Sequence, residues 1–243
     1  MELYRYISFQ SFCELVFNSE LTFKQPKTWP DQYEGYIYRL LDTDNGKSAI
    51  KKLISEKIAD QSRGDEMVRL LQLLGESAYC VCFSRNRDKE VMWNAYGYNG
   101  QAVMIEVDDA ALEFSGASSP IVLLVEYDLE KYQMTFLKDN ISKHQYGVSV
   151  RNAEDILKHK RACFAYEQEV RMIMKEIAHP NEGTMKYEIR NISAFITGVM
   201  VHPLATAEYA KVIEMLCSNY GLKYLGKSKV YDFEESFFHD KSI

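Results

Sequence analysis

The chain has 243 residues, 47% apolar and 26% charged, which suits a soluble globular protein with a substantial buried core, built as one large domain or two small ones. The formal net charge is −6 and no basic block occurs, so extended backbone-tracking contact with nucleic acid is not expected, although a local encounter at one pocket stays open. Cys13, Cys80, Cys82, Cys163 and Cys217 are odd in number and unevenly spaced, which points to reduced thiols in a cytoplasmic protein rather than a disulfide framework or a zinc site.

Leu3 to Ile7 is aromatic-rich and reads as a first strand. Phe9, Phe12, Cys13 and Val16 then follow helical spacing, and Leu21 with Phe23 predicts a brief strand. Gln25 to Gly35 reads as a loop. Lys47 to Glu76 carries two apolar helical stripes, with a break expected at Ser62-Arg63-Gly64. Tyr79 to Phe83 is an apolar strand, and Met92 to Tyr96 a helical turn. Ala102 to Val107 and Ile121 to Tyr127 are strand-like, joined by a loop over Ser115 to Pro120. Asn152 to Phe164 is expected to be a helix capped by Asn152, with Asp155 in its first turn. Strands are predicted at Val170 to Ile177, Tyr187 to Arg190 and Phe195 to His202, then a helix over Ala205 to Asn219 ended by Gly221. Leu222 to Leu225 and Val230 to Phe233 complete the pattern as short strands. The N-terminus lacks the apolar run of a signal peptide, and Ile192 to Val201 is too short to cross a bilayer. With no composition break or repeat, residues 1–243 read as a single mixed α and β domain with a helical insertion at about 47–76.

The run Phe164-Ala165-Tyr166-Glu167-Gln168-Glu169-Val170-Arg171 holds the most concentrated chemistry. In a strand, residues two apart share a face, so Glu167, Glu169 and Arg171 would point together; in a helix they would fan apart. Convergent carboxylates can polarise a sugar hydroxyl or stabilise a developing oxocarbenium-like cation. The alternative is a solvated helix end held by ion pairs. Ser84-Arg85 at a strand end could orient a phosphate-bearing molecule, or simply end a strand in a turn. Trp93 and Tyr96 lie on one side of a helical turn, suited to stacking on a nicotinamide or a base, and equally to core packing. Arg5 faces opposite to Tyr4 and Tyr6, so Arg5 or Tyr6 could enter a site, but not both through one face. Asp31 and Glu34 beside Trp29 and Tyr33 form a second acidic-aromatic group, which reads as a packed loop sooner than as an enzyme centre. His159-Lys160-Arg161 could attract a pyrophosphate, or form the wet face of a helix. The histidines show no metal-ligand spacing, so no metal is expected, and neither the dinucleotide nor the P-loop glycine pattern is present.

Taken together, Leu3-Tyr4-Arg5-Tyr6, the loop Trp29-Pro30-Asp31-Gln32-Tyr33-Glu34, Cys82-Phe83-Ser84, Met92-Trp93-Asn94-Ala95-Tyr96, Gly100 and Tyr166-Glu167-Gln168-Glu169-Val170-Arg171 resemble the DUF2971 family of bacterial proteins, from Leu3 to about Phe233. That family is similar in turn to ADP-ribosyltransferases of the arginine-serine-glutamate type. The resemblance implies an α+β fold of split mixed and antiparallel sheets with peripheral helices, and an enzyme that takes NAD as substrate. It implies Glu169 as the catalytic carboxylate and Glu167 as its helper. Arg5 or Tyr6, Ser84, Arg85, Trp93 and Tyr96 would bind NAD, and Arg171 would be structural support. The acceptor implied is a macromolecule, protein or RNA/DNA, in a bacterial toxin or phage-defence effector with a possible antitoxin partner and no membrane association. The serine run Cys82-Phe83-Ser84-Arg85 departs from the usual serine-threonine-serine. The alternatives are a non-catalytic interaction or sensor module keeping the fold, and a metal-dependent nuclease using Asp31, Glu34, Glu167 and Glu169.

Overall fold

The computed structural model describes residues 1–57, 62–115, 119–132, 141–144, 147–150, 156–175 and 183–232. Along the chain the elements are β1 (Glu2–Ser8), α1 (Phe9–Asn18), β2 (Glu20–Lys24), α2 (Tyr36–Leu40), α3 (Asp44–Lys57), α4 (Ser62–Ser77), β3 (Ala78–Ser84) and α5 (Glu90–Tyr96). There follow β4 (Ala102–Asp108), β5 (Ile121–Leu124), α6 (Leu129–Tyr132), β6 (Ile141–His144), β7 (Gly147–Val150), β8 (Glu169–Lys175), β9 (Thr184–Glu188), α7 (Ile192–Phe195), β10 (Ile196–Val201), α8 (Ala207–Asn219) and β11 (Tyr224–Lys227). The class is α+β, with mixed but largely antiparallel strand pairing flanked by helices, consistent with the split-sheet architecture expected.

The contacts divide the chain into two units. The first comprises Met1–Glu20, Ser84–Glu113 and Ile189–Ile243. Its strands run in the order β11-β10-β4-β1. β1 is antiparallel to β4, with Tyr6 opposite Met104, and β10 is antiparallel to the other side of β4, with Val199 opposite Ile105. β11 is parallel to β10. Central β4 is apolar at nearly every position because both of its faces are covered, which removes the polar alternation of a one-sided strand. α1 starts where the Ser8 hydroxyl accepts from the Ser11 amide, and it buries Phe12, Leu15 and Val16 on one stripe. α8 starts in the same way at Thr206, and Gly221 follows it in the left-handed region that ends a helix cheaply.

The second unit comprises Leu21–Phe83 and Phe114–Glu188. Here β5 is antiparallel to β8, β8 pairs with β3, β3 is antiparallel to β2, and β9 joins on β2. Ile37, Tyr38, Leu41, Ile50, Met67, Leu71, Leu157 and Ile173 form its apolar core, so the two stripes read between residues 47 and 76 are what seat α3 and α4. Gly75 of α4 is required by close approach: a Cβ there would lie 2.6 Å from Cδ1 of Tyr38 on α2. Helix propensity would favour alanine by about 1 kcal/mol, but the displaced atoms belong to the root of a buried ring, and overpacking of that kind costs about 1–3 kcal/mol. Gly75→Ala is therefore expected to lower the melting temperature, as thermal denaturation would show; an unchanged or raised value would contradict this packing.

Four expectations are corrected. Ser62-Arg63-Gly64 does not break a helix but forms the opening turn of α4. The predicted strand over Ile121 to Tyr127 ends at Leu124. Val230 to Asp232 is a turn rather than a strand, held by the Asp232 amide donating to the Lys229 carbonyl at 2.8 Å; Phe233 lies outside the described residues. The helix expected over Asn152 to Phe164 is not continuous in its described part: residues 156–157 are 3-10, Lys158 lies in a turn and His159 bridges to Glu126, with the Glu126 amide donating to the Lys158 carbonyl at 2.8 Å and the Lys160 amide to the Glu126 carbonyl at 2.9 Å. Those bonds replace the helical ladder, and a tight 3-10 turn over Ala162–Glu167 then leads into β8. Asn152 and Asp155 lie outside the described residues, as do positions 116–118 of the expected loop.

Candidate functional site: a buried carboxylate and cation cluster

β8 is buried along its whole length up to Met174, with Glu169 and Arg171 included. Charged groups there must be paired, because an ion withdrawn from water without a partner is prohibitively costly. All the partners belong to the second unit. The Arg171 guanidinium is completely inaccessible, at 0% exposure. Its Nε donates to Glu169 Oε1 at 2.7 Å, Nη1 to the Leu157 carbonyl at 2.7 Å, and Nη2 to Glu169 Oε2 at 3.3 Å and to Glu34 Oε2. The Trp29 ring lies against its flat face, 4.7 Å from Cζ to the ring centre.

Lys160 is the second cation. Its ammonium reaches Glu167 Oε2 at 2.5 Å, Glu169 Oε2 at 2.8 Å and Glu34 Oε1 at 3.2 Å, with a side chain only 6% exposed. The reading of His159-Lys160-Arg161 as a wet helix face is thereby overturned for Lys160 and for His159, both buried. Arg161 instead ion-pairs with Asp31 at 3.1 Å and lies over the rings of Tyr33 and Phe164, 4.5 and 5.2 Å from their centres. The alternation argument is met in β8: Glu169 and Arg171 share a face and bond each other. Glu167 precedes the strand, at the end of the 3-10 turn, and reaches the same cluster through Lys160. Between the two glutamates Gln168 adopts φ +43°, and the Glu169 amide donates to the Tyr127 hydroxyl at 2.7 Å, which fixes the turn.

Burial alone would push the Glu169 carboxyl upward, but Arg171 and Lys160 outweigh it and hold the group well below its ordinary value of 4.5. Burial likewise works against the Lys160 ammonium, and Glu169, Glu34 and Glu167 overcome it, raising the group above 10.5. Burial drives the Cys82 thiol up, and it bonds Glu169 as a neutral donor. The pH consequence has a definite sign. The stability from the depressed Glu169 is complete above the ordinary carboxylate value and is lost as pH falls through the folded one. That from Lys160 is complete below the ordinary lysine value and is lost only as pH rises beyond it. Unfolding free energy is thus expected to hold level from about pH 6 to 9 and to fall below about pH 4.5. Urea titrations across that range should show a shallower acid slope in Glu169→Gln than in the wild type.

The residues expected to bind NAD belong to the first unit, where several converge on the loop Asn86–Lys89. The Ser84 hydroxyl accepts from the Asn86 amide at 2.9 Å. The Tyr6 hydroxyl donates to the Asn86 carbonyl at 3.1 Å and accepts from the Lys89 amide at 3.2 Å; burial pushes its pKa up to about 12. Trp93 is wholly buried, edge-on to Tyr6 at 4.8 Å between ring centres, and its Nε1 donates to Asp88 Oδ1 at 2.7 Å. Arg5 and Tyr96 are half-buried and Arg85 is exposed. Tyr6, Ser84 and Trp93 therefore brace a loop, whereas Arg85 offers its side chain to solvent.

Residues 92–172 match the family model described as "Protein of unknown function (DUF2971)". The matched segment takes in Trp93 and Tyr96 at one end and Lys160, Glu167, Glu169 and Arg171 at the other. No curated protein matches the chain. Among solved structures it is similar to "Thermus sp. 2.9 DarT in complex with NAD+", at 8% identity and a TM-score of 0.40, covering 96% of this chain and 97% of that one. Among the described residues no helix is long and apolar enough to cross a membrane.

Glu34, which the sequence offers both in an acidic-aromatic loop and in a carboxylate set with Glu167 and Glu169, joins those two here by giving its carboxylate to Arg171 and Lys160. Lys160 is the member that no motif marks, because a lysine between a histidine and an arginine has the composition of any solvated patch.

Proposed function

We propose that the chain works as one ADP-ribosyltransferase-like domain that takes NAD as substrate and transfers ADP-ribose to a macromolecular acceptor, protein or nucleic acid. The observation that supports this most is Glu169 itself, a carboxylate held ionised and fixed at the head of β8 by Arg171 and Lys160. Among the described members of this group, three carboxylates face two cations, so the surroundings favour an arriving positive charge. Cleavage of the ribosyl C1′–N bond sends the bonding pair to nicotinamide, which leaves neutral, and puts that positive charge on the ribose. A preorganised carboxylate at the 2′-hydroxyl stabilises it without reorganising. The acceptor nucleophile then bonds C1′, and Glu167 orients it or takes its proton.

In the same proposal Arg85 and Arg5 serve the pyrophosphate and Tyr96 stacks on nicotinamide. Tyr6, Ser84 and Trp93 act through the Asn86–Lys89 loop that they brace. The biological setting proposed is a cytoplasmic toxin or phage-defence effector, with an antitoxin as possible partner. A second reading, a binding or sensor module without chemistry, is favoured by the fact that both glutamates already have cationic partners. Incubating the protein with NAD labelled in the adenylate half and with host protein, RNA and DNA fractions separates the two. Label transfer with nicotinamide release supports the enzyme. Absence of both NAD binding and transfer in every fraction would leave the binding module.

A further inference from the structure

The short parallel bridge between residues 126–128 and 158–160 has two faces. On one of them the Tyr127 hydroxyl accepts from the Glu169 amide and the Lys160 ammonium bonds Glu167 and Glu169. Glu126, Asp128 and His159 alternate with these residues along the two bridged segments. One ligand atom from each lies within 4.8 Å of the others. We propose that Glu126, Asp128 and His159 form a divalent-cation site, of zinc-like preference, set back to back with the Glu169 cluster.

The donor chemistry is one imidazole with two carboxylates, a set that takes Zn²⁺ with its remaining positions filled by water. The imidazole is prepared for the role. Its side chain is only 6% exposed, its Nδ1 sits 2.6 Å from Asp128 Oδ1, and the Tyr132 ring stacks on it at 3.3 Å between centres and 19° between planes. The two carboxylates are the adjustable partners, with side chains 49% and 40% exposed for Glu126 and Asp128. Donors around a tetrahedral Zn²⁺ at about 2.0–2.2 Å lie about 3.3–3.6 Å apart, so small rotations of these exposed groups close the site. Lys158, paired with Glu126 Oε1 at 2.5 Å, is the group a cation would displace; a half-exposed surface ion pair is a weak competitor.

The consequence reaches Glu169 through the backbone. A cation that clamps Glu126 and Asp128 to His159 stiffens the bridge whose other face carries Tyr127 and Lys160. This inference does not depend on NAD chemistry, and its test measures binding rather than turnover. The full chain, stripped with chelator, is titrated with Zn²⁺ by calorimetry, beside Glu126→Gln and His159→Gln. One equivalent is expected to bind, at least about tenfold more weakly in either variant. Zn²⁺ should also slow amide exchange at Lys160 and Glu169 in the wild type and not in the variants. The free cysteines are checked with Co²⁺, whose spectrum should lack thiolate charge-transfer bands. Thiolate bands, equal affinity in wild type and variants, or no binding at millimolar Zn²⁺ would each overturn the site. If His159→Gln fails to fold, Glu126→Gln at the surface decides alone.

Discussion

Glu169→Gln is expected to reduce NAD turnover by about 10²–10³-fold or more, the range seen when one preorganised charge-stabilising group is removed from an active site. The substitution keeps the shape of the side chain and removes only its charge. The fold should survive it. Arg171 still has Glu34 and the Leu157 carbonyl, and Lys160 still has Glu34 and Glu167, so neither buried cation is stranded. The stability loss is accordingly placed at about 1–3 kcal/mol, that of charge-assisted hydrogen bonds rather than of a broken buried pair. Nicotinamide release, measured beside a melting curve, separates the two effects. Turnover within a few fold of wild type would remove Glu169 from the reacting centre.

Arg171→Leu should do the opposite, acting first on the fold. It leaves Glu169 and Glu34 facing a hydrocarbon side chain in a region closed to water, and removing one partner from a buried pair costs about 3–5 kcal/mol. For a chain of this length each kilocalorie shifts the melting temperature by about 2–4 °C, so a drop on the order of 6–20 °C is expected. Arg171→Lys should fall between, because an ammonium keeps the charge but cannot bridge Glu169, Glu34 and the Leu157 carbonyl through a planar fork. A melting temperature for Arg171→Leu within 2 °C of wild type, as an approximate margin, would mean that the cluster is wet and the pairing weak.

These contrasting expectations follow from two residues that a motif reading places side by side. Their spacing was legible: residues two apart on a strand share a face, and Glu169 and Arg171 do. That Arg171 has to be anchored was also legible, since it interrupts an otherwise apolar run from Val170 to Met174. The cost of anchoring it was not, because it depends on Glu34, 137 positions away. The aromatic residues show the same limit. Trp93 and Tyr96 have one spacing and similar chemistry, yet Trp93 is wholly buried and Tyr96 is not; the i,i+3 pattern puts both on one side of a turn without saying what covers that side.

Local pattern by itself determined where β1, α1, β3, α5, β4, β8 and α8 lie, because apolar periodicity and end-capping are properties of neighbouring residues. Tertiary structure alone decided the state of residues 158–160. Helical periodicity favoured a helix through them, but their backbone groups bond the segment around Glu126 instead. That exchange carries Lys160 out of water and into contact with three carboxylates, changing a surface lysine into the buried cation that joins Glu34, Glu167 and Glu169. A charge is stable in such a place only when distant partners arrive together, and no local window of the chain records their arrival.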